Sequence, residues 1–357
     1  MPVAPSPKEI AAALSRRVVG QPTAVREMAV ALSKHLGGPG AGNILMIGSS
    51  GTGKTTLMRA VEDYLAADSA LAAASTLVRL HANVLGEEAE RGRPGEAVLG
   101  RLLARARELA GAGAPLDDLL ARVRRGIVFI DEVDKIRSHV GDRPNVAGIR
   151  AQEALLTLIE NEAVAFDLPE WAGGGTVRVD SSGLLFVCAG AFEGLYDRVY
   201  DRVTIGRDRG QLQAMTVVDG GEVHEELQFA LRDWLRAEDL FDYGMSPQFL
   251  SRFEAVVLLE DLGVDELVRI FLETPESAYR RSRAWFESRG IRLALSPAAA
   301  RRIAREAKRQ GRLGARALSE VFRRVIRDYE FDPDASLAGA GGGALVIDEP
   351  EVERALG

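Results

Sequence analysis

Short apolar runs and longer amphipathic stretches alternate along most of the chain. Residues 44–47, 76–80, 127–130, 184–187 and 256–259 are apolar runs short enough to be buried strands. A strand covered on both faces reads as a continuous apolar run, not as an alternation. Between these runs lie helical patterns. Residues 1–17 place Ile10, Ala13 and Leu14 on one side, and further patterns cover 23–36, 98–109 and 149–160. The stretch Gly37-Gly38-Pro39-Gly40-Ala41-Gly42 is a loop. Buried strands separated by helices predict an α/β fold with a parallel sheet.

The last hundred or so residues follow a different pattern. Ser296-Pro297 is a helix start, with a capping hydroxyl and a proline at the first position. Gly311 is expected to end that helix. The next one carries Leu318, Val321, Phe322, Val325, Ile326 and Tyr329 in steps of three and four, so all share one face. Such a face needs a partner, which predicts a small helical domain packed on itself. Residues 338–343 read as a glycine-rich surface turn before the strand Leu345-Val346-Ile347.

Composition narrows the options without choosing among them. A chain of 357 residues is long enough for two domains and a sizeable core. No stretch approaches the roughly 18 uninterrupted apolar residues of a membrane span. The opening MPVAPSPKEI lacks a basic start followed by an apolar block, so no secretory signal is expected and the protein is expected to be cytoplasmic. Cys188 is the one cysteine, which excludes an internal disulfide and a cysteine-rich zinc module. Its setting in an apolar run predicts a core residue. His35, His81, His139 and His224 are scattered without metal-ligand spacing. The net charge of −7 argues against broad electrostatic binding of nucleic acid, though a ring can carry a basic channel within an acidic shell.

One motif carries specific chemistry. Gly48-Ser49-Ser50-Gly51-Thr52-Gly53-Lys54-Thr55 matches GxxxxGK[ST] at each fixed position, with a strand pattern before it and a helical pattern after it. Glycines let backbone N–H groups turn inward around phosphate oxygens, and the helix start adds its positive dipole end. The cofactor-binding stretch runs on to Thr56. Lys54 is expected to reach the β- and γ-phosphates, and Thr55 to offer its hydroxyl to Mg²⁺. The run Ile127-Val128-Phe129-Ile130-Asp131-Glu132 ends a buried strand on two acids. Carboxylates there are costly unless they meet a cation. Asp131 is expected to serve the Mg²⁺ shell, and Glu132 to polarise the attacking water of ATP hydrolysis.

These segments resemble AAA+ ATPases of the ClpX/HslU type, a branch of the Clp/Hsp100 unfoldases. The residues that carry the resemblance are Gly126 through Ile136, Gln152 through Glu160, Leu185 through Phe192, and Val18-Val19-Gly20-Gln21. It extends from about Leu14 to the C-terminus. It implies an AAA+ core with a parallel sheet flanked by helices over residues 1–257, and a small helical lid domain over 258–357. It further implies that Val18 and Val19 lie on the adenine side. In Pro247-Gln248-Phe249-Leu250-Ser251-Arg252-Phe253, Arg252 would be the arginine finger that enters a neighbouring subunit's site. In Gly314-Ala315-Arg316-Ala317-Leu318, Arg316 would touch the γ-phosphate from the lid. A guanidinium suits both roles, staying charged and offering several donors. The finger implies a homo-oligomer, and the resemblance implies a hexameric ring.

The sequence also departs from that family. It is expected to lack the N-terminal zinc-binding domain and any docking through it. Where the family carries glycine, tyrosine, valine, glycine in the pore, the matching residues are Gly92-Arg93-Pro94-Gly95, or in a second alignment Val84-Leu85-Gly86-Glu87. The loop that docks on a ClpP-type peptidase has Ile205-Gly206-Arg207 as its nearest match. Arginine there cannot fill an apolar pocket without burying charge, so that docking is not expected. Three readings follow. The first is an ATP-driven protein-remodelling motor acting on a protein substrate the sequence does not identify. The second is a nucleic-acid motor with Arg91, Arg93, Arg198, Arg202, Arg207 and Arg209 lining a channel. The third is a nucleotide-gated assembly switch that does not thread.

Overall fold

The structure is a computed structural model that describes residues 4–38, 42–90, 95–141, 143–160, 163–205, 214–219, 222–227, 230–310, 314–333 and 344–357. Contacts divide the chain into two compact units. One gathers residues 34–47 and 69–258, the other residues 1–33, 48–68 and 259–357.

The first of these units holds a five-stranded parallel sheet. Its strands are β1 (Asn43–Ile47), β2 (Leu77–His81), β3 (Ile127–Asp131), β4 (Leu185–Gly190) and β5 (Phe253–Leu258), in the order β5-β1-β4-β3-β2. The central strands are the ones whose sequences read as unbroken apolar runs. β4 is buried along its whole length, and β3 is buried up to Ile130. The edge strand β2 alternates instead: Val78 and Leu80 are buried while Arg79 is half-buried and His81 exposed. Helix Glu96–Ala110 buries Leu99, Leu102 and Leu103 in the core of this unit. Full burial of one such side chain stabilises by about 1.5–3 kcal/mol.

Cys188 sits at the centre of the sheet, fully buried, and burial pushes its thiol pKa far up. It is the core residue its apolar setting predicts. His35 is buried too, and desolvation lowers its pKa to about 4. At neutral pH it is therefore uncharged, and its Nε2 meets the Arg125 carbonyl oxygen at 3.0 Å. This contact fixes the end of helix Pro22–Gly37 to the turn that leads into β3.

Antiparallel hairpins that the apolar runs did not reveal project from the same unit. Ala163–Asp167 pairs with Thr176–Asp180, and Ala214–Asp219 pairs with Glu222–Leu227. Ala163–Asp167 buries only Val164 and Phe166 and exposes the residues between, so it carries no continuous apolar signal.

The second unit has its own core. Helices Val264–Glu273, Ala278–Glu287, Pro297–Arg309, Ala315–Phe331 and Glu349–Leu356 enclose Phe271, Phe286 and Phe322. The Phe271 and Phe322 rings meet edge to face with centroids 5.1 Å apart. Helix Ala315–Phe331 buries Leu318, Val321, Phe322, Val325 and Ile326, and Tyr329 packs part-buried against the same cluster. Ser296 caps its helix by accepting from the Ala299 N–H at 3.1 Å. The strand expected at 345–347 forms as Ala344–Ile347 and pairs in parallel with Arg292–Leu295. Gly311 and the glycine-rich stretch 338–343 lie outside the described residues. The first helix is shorter than its pattern suggested. It covers Pro7–Leu14 and starts at a reciprocal capping box between Ser6 and Glu9. No helix among the described residues is long and apolar enough to cross a membrane.

Candidate nucleotide site

The phosphate loop belongs to the second unit. Gly51 and Gly53 have φ of +82° and +107°, a left-handed backbone that favours glycine. Two such turns close together curl the loop, and helix Lys54–Ala66 begins at once after them. The Lys54 ammonium donates to the carbonyl oxygens of Gly48 and, at 2.9 Å, Ser49. Thr52 is buried, and its hydroxyl donates to the Ser49 carbonyl at 2.9 Å. Gly48 is tight: a Cβ there would lie 2.8 Å from Leu259 and 2.9 Å from the Thr52 hydroxyl. Ser50, Thr55 and Thr56 are half-buried.

Two side chains outside the motif hold this loop. Gln21 is 3 % exposed, and its amide nitrogen donates to the carbonyls of Thr52 (2.9 Å) and Glu260 (2.7 Å). Its amide oxygen accepts from the Glu260 N–H at 3.0 Å. The Ser49 hydroxyl donates to the Asp261 carboxylate at 2.5 Å. The loop is thus clasped to the chain segment that leads into the C-terminal helices.

The start of helix Ala315–Phe331 completes the surroundings. The Ala315 N–H donates to the Gly51 carbonyl at 3.3 Å, and Gly314 has to be without a Cβ, which would come within 2.9 Å of the same oxygen. Beside the loop is a cavity of about 170 Å³, lined among others by Arg17, Thr56, Arg59, Ile270, Ala315 and Leu318. Val18 is buried and Val19 half-buried in the segment that follows Arg17. Arg17 is ion-paired to Asp63 and, at 2.5 Å, to Glu276. Arg316 follows Ala315 but lines a separate groove with Arg281 and Arg323.

The acid pair belongs to the sheet unit. Ile47 pairs with Gly190 and His81 with Asp131, so β1, β2, β3 and β4 all end at one edge. The carboxyl edge of a parallel sheet is where α/β proteins place ligands. The Asp131 Oδ1 accepts the Glu132 N–H at 3.0 Å, and its Oδ2 accepts from the Arg79 guanidinium at 2.6 Å. Glu132 has φ of +59°, and only it and Phe192 are non-glycine residues with positive φ among the described residues. Such a backbone in a non-glycine residue costs of order 1 kcal/mol or more and marks functional sites. The Glu132 side chain is half exposed, with His81 Nδ1 at 3.7 Å from its carboxylate.

Asp134 was not among the residues singled out from the sequence. It is 2 % exposed, accepts from the Ala191 N–H at 3.1 Å, and burial raises its pKa. It ties the turn after β3 to the end of β4, which fixes where Glu132 stands. The signal was present as the third acid of Asp131-Glu132-Val133-Asp134.

Arg252 is elsewhere in the same unit. It directly precedes β5, whose first residue Phe253 pairs with Asn43, the first residue of β1. The Asn43 amide donates to the Arg252 carbonyl at 3.1 Å, and the exposed Arg252 guanidinium pairs with Glu160 at 2.6 Å. Arg252 therefore stands at the amino edge of the sheet, three strands over from Asp131. Standard strand spacings make that a backbone separation on the order of 20 Å, beyond the reach of an arginine side chain.

Comparison with known proteins fits this geometry. The chain matches the AAA domain family (Cdc48 subfamily) over residues 40–256. A five-stranded parallel sheet with this order, a phosphate loop after β1 and an acid pair after β3 are thus the frame of an ATPase, and the chain belongs to the AAA family. Along nearly its whole length it is similar to the ATP-dependent Clp protease ATP-binding subunit ClpX 3 of Methylococcus capsulatus. The two are 31 % identical over 355 residues, covering 92 % of this chain and 76 % of that relative. It is a ClpX-like AAA+ ATPase that binds ATP.

Proposed function

We propose that this ATPase is a ClpX-like protein-remodelling motor that works as an oligomeric ring, with residues 258–357 acting as its lid. The observation that carries the ring is the position of Arg252. A guanidinium at the amino edge of the sheet cannot serve the acid pair at the carboxyl edge of its own chain. As an arginine finger it has work only in a neighbouring copy, and a finger supplied in trans makes hydrolysis depend on assembly.

The roles of the other residues follow from their chemistry. Backbone N–H groups from Gly48 to Thr56 cradle the phosphates, and Lys54 neutralises their charge. Val18 and Val19 line the adenine side, and Arg316 meets the γ-phosphate by a side-chain rotation out of its groove. The Thr55 hydroxyl and the Asp131 carboxylate are hard oxygen donors of the kind Mg²⁺ prefers. Mg²⁺ held by such oxygens would neutralise phosphate charge. Glu132 orients and deprotonates the attacking water.

Gly92, Arg93 and Pro94 lie outside the described residues. The second alignment is disfavoured: Val84, Leu85 and Gly86 fall within helix Asn83–Glu90, and Leu85 is fully buried. An apolar pair that grips a polypeptide has to be exposed. Gly206 and Arg207 of the docking segment also lie outside the described residues, as do Arg91 and Arg209. Of the arginines considered for a nucleic-acid channel, Arg198 donates to the Asp242 carbonyl at 2.8 Å and Arg202 pairs with the buried Asp239 at 2.8 Å. Both are engaged within the fold, which favours a protein substrate.

The test is ATP turnover by the purified chain with added ligands. A permanently unfolded polypeptide is expected to raise the rate severalfold, while DNA at low salt leaves it unchanged. Stimulation by DNA alone, lost steeply as salt rises, would favour the nucleic-acid motor. A slow rate indifferent to both would favour the assembly switch.

A further inference from the structure

Strand β2 puts a basic residue where its neighbours suggest an apolar one. In Leu77-Val78-Arg79-Leu80-His81, Val78 and Leu80 point into the core, which places Arg79 and His81 together on the other face. Arg79 pairs in register with Phe129, and His81 with Asp131. From there the Arg79 guanidinium reaches forward along β3 and donates to Asp131 Oδ2 at 2.6 Å. The two side chains are only 32 % and 13 % exposed, so water screens this pair less than a surface one. The Arg79 Nε is buried without a hydrogen-bond partner among the described residues. A buried donor left unmatched is destabilising, and it persists here beside an acid that carries function.

Both Asp131 oxygens are thus engaged: Oδ1 by the Glu132 N–H and Oδ2 by Arg79. We propose that Arg79 is a resident counter-cation for Asp131, which a metal-bound nucleotide must displace or share. This inference rests on the reading of Asp131 as the carboxylate of the Mg²⁺ shell. The effect is the same in sign whether or not the guanidinium leaves. A carboxylate oxygen has room for a second partner, but a fixed positive charge beside it disfavours a dication by Coulomb repulsion. In the absence of metal, the same charge relieves repulsion between Asp131 and its neighbour Glu132. Arg79 is therefore a positioning residue that sets how much Mg²⁺ the site requires.

The experiment titrates Mg²⁺ into the full-length protein and reads the affinity of a fluorescent ATP analogue by equilibrium binding, without turnover. Arg79→Met is expected to lower the half-saturating Mg²⁺ concentration roughly three- to tenfold, the range of a partly screened charge pair. Affinity in the presence of EDTA should be no tighter than wild type, a split that general damage to the fold would not produce. Arg79→Gln, which keeps donors but not charge, should shift the same way, and Arg79→Lys should stay near wild type. In an Asp131→Asn background, Arg79→Met should shift the Mg²⁺ requirement less than it does in the wild type, since the two residues act as a pair. A Mg²⁺-dependent wild type whose requirement is unchanged or raised in both Arg79→Met and Arg79→Gln overturns the inference alone. A wild type whose nucleotide affinity ignores Mg²⁺ overturns the metal role of Asp131 and this inference with it.

Discussion

Replacing Glu132 by glutamine is expected to leave ATP binding near the wild-type level and to slow hydrolysis about a hundred- to thousandfold. The change is nearly isosteric and removes only the charge and the basicity. Glu132 is half exposed, and the His81 Nδ1 lies 3.7 Å from its carboxylate, so the fold draws little from it. Its backbone position is fixed by Asp131 and by the buried Asp134 on either side, and a glutamine inherits that position. The effect therefore belongs to the chemical step. Equilibrium binding of a fluorescent ATP analogue and release of inorganic phosphate read the two quantities separately. Turnover within threefold of wild type would remove Glu132 from the base role.

Lys54→Ala is the complementary change. It is expected to weaken ATP binding by at least about tenfold and to bring hydrolysis to background, because its charge acts on the β- and γ-phosphates from the ground state onward. The Lys54 ammonium donates to the Gly48 and Ser49 carbonyls of the loop. The loop itself should survive the change, since Gln21, Thr52 and Asp261 hold it by bonds that do not involve Lys54. Glu132→Gln thus separates hydrolysis from binding, whereas Lys54→Ala loses both. If Lys54→Ala bound and hydrolysed ATP normally, the loop would not be the phosphate cradle.

The parts of the fold legible in the sequence are those whose signal is local. β3 and β4 are covered on both faces, so their residues form apolar runs that need no partner to be recognised. Helix Ala315–Phe331 shows its buried face as a spacing of three and four. The phosphate loop is legible because each glycine answers a backbone requirement of its own, as the φ values of Gly51 and Gly53 show. What was missed depends on distant partners. Gln21 clasps Glu260 from 239 positions away, and nothing near either residue announces the other. The pairing of Arg79 with Asp131 needs the register of β2 on β3 before it can be seen. β5 begins at Phe253, earlier than its apolar run, because Glu254 and Ala255 interrupt the pattern at the sheet edge. For Arg316, read as a phosphate contact, the structure gives a neighbour at the loop, Ala315, whose N–H donates to Gly51, and a place in a groove with Arg281 and Arg323.

The most direct test of the remodelling account uses Glu132→Gln as a trap. The variant, loaded with ATP, is used as bait in a lysate of its own host, with a nucleotide-free sample as control. The account predicts that specific proteins are retained only with ATP and are released when the nucleotide is removed. Retention of nucleic acid alone, or of the same proteins with and without ATP, would contradict it.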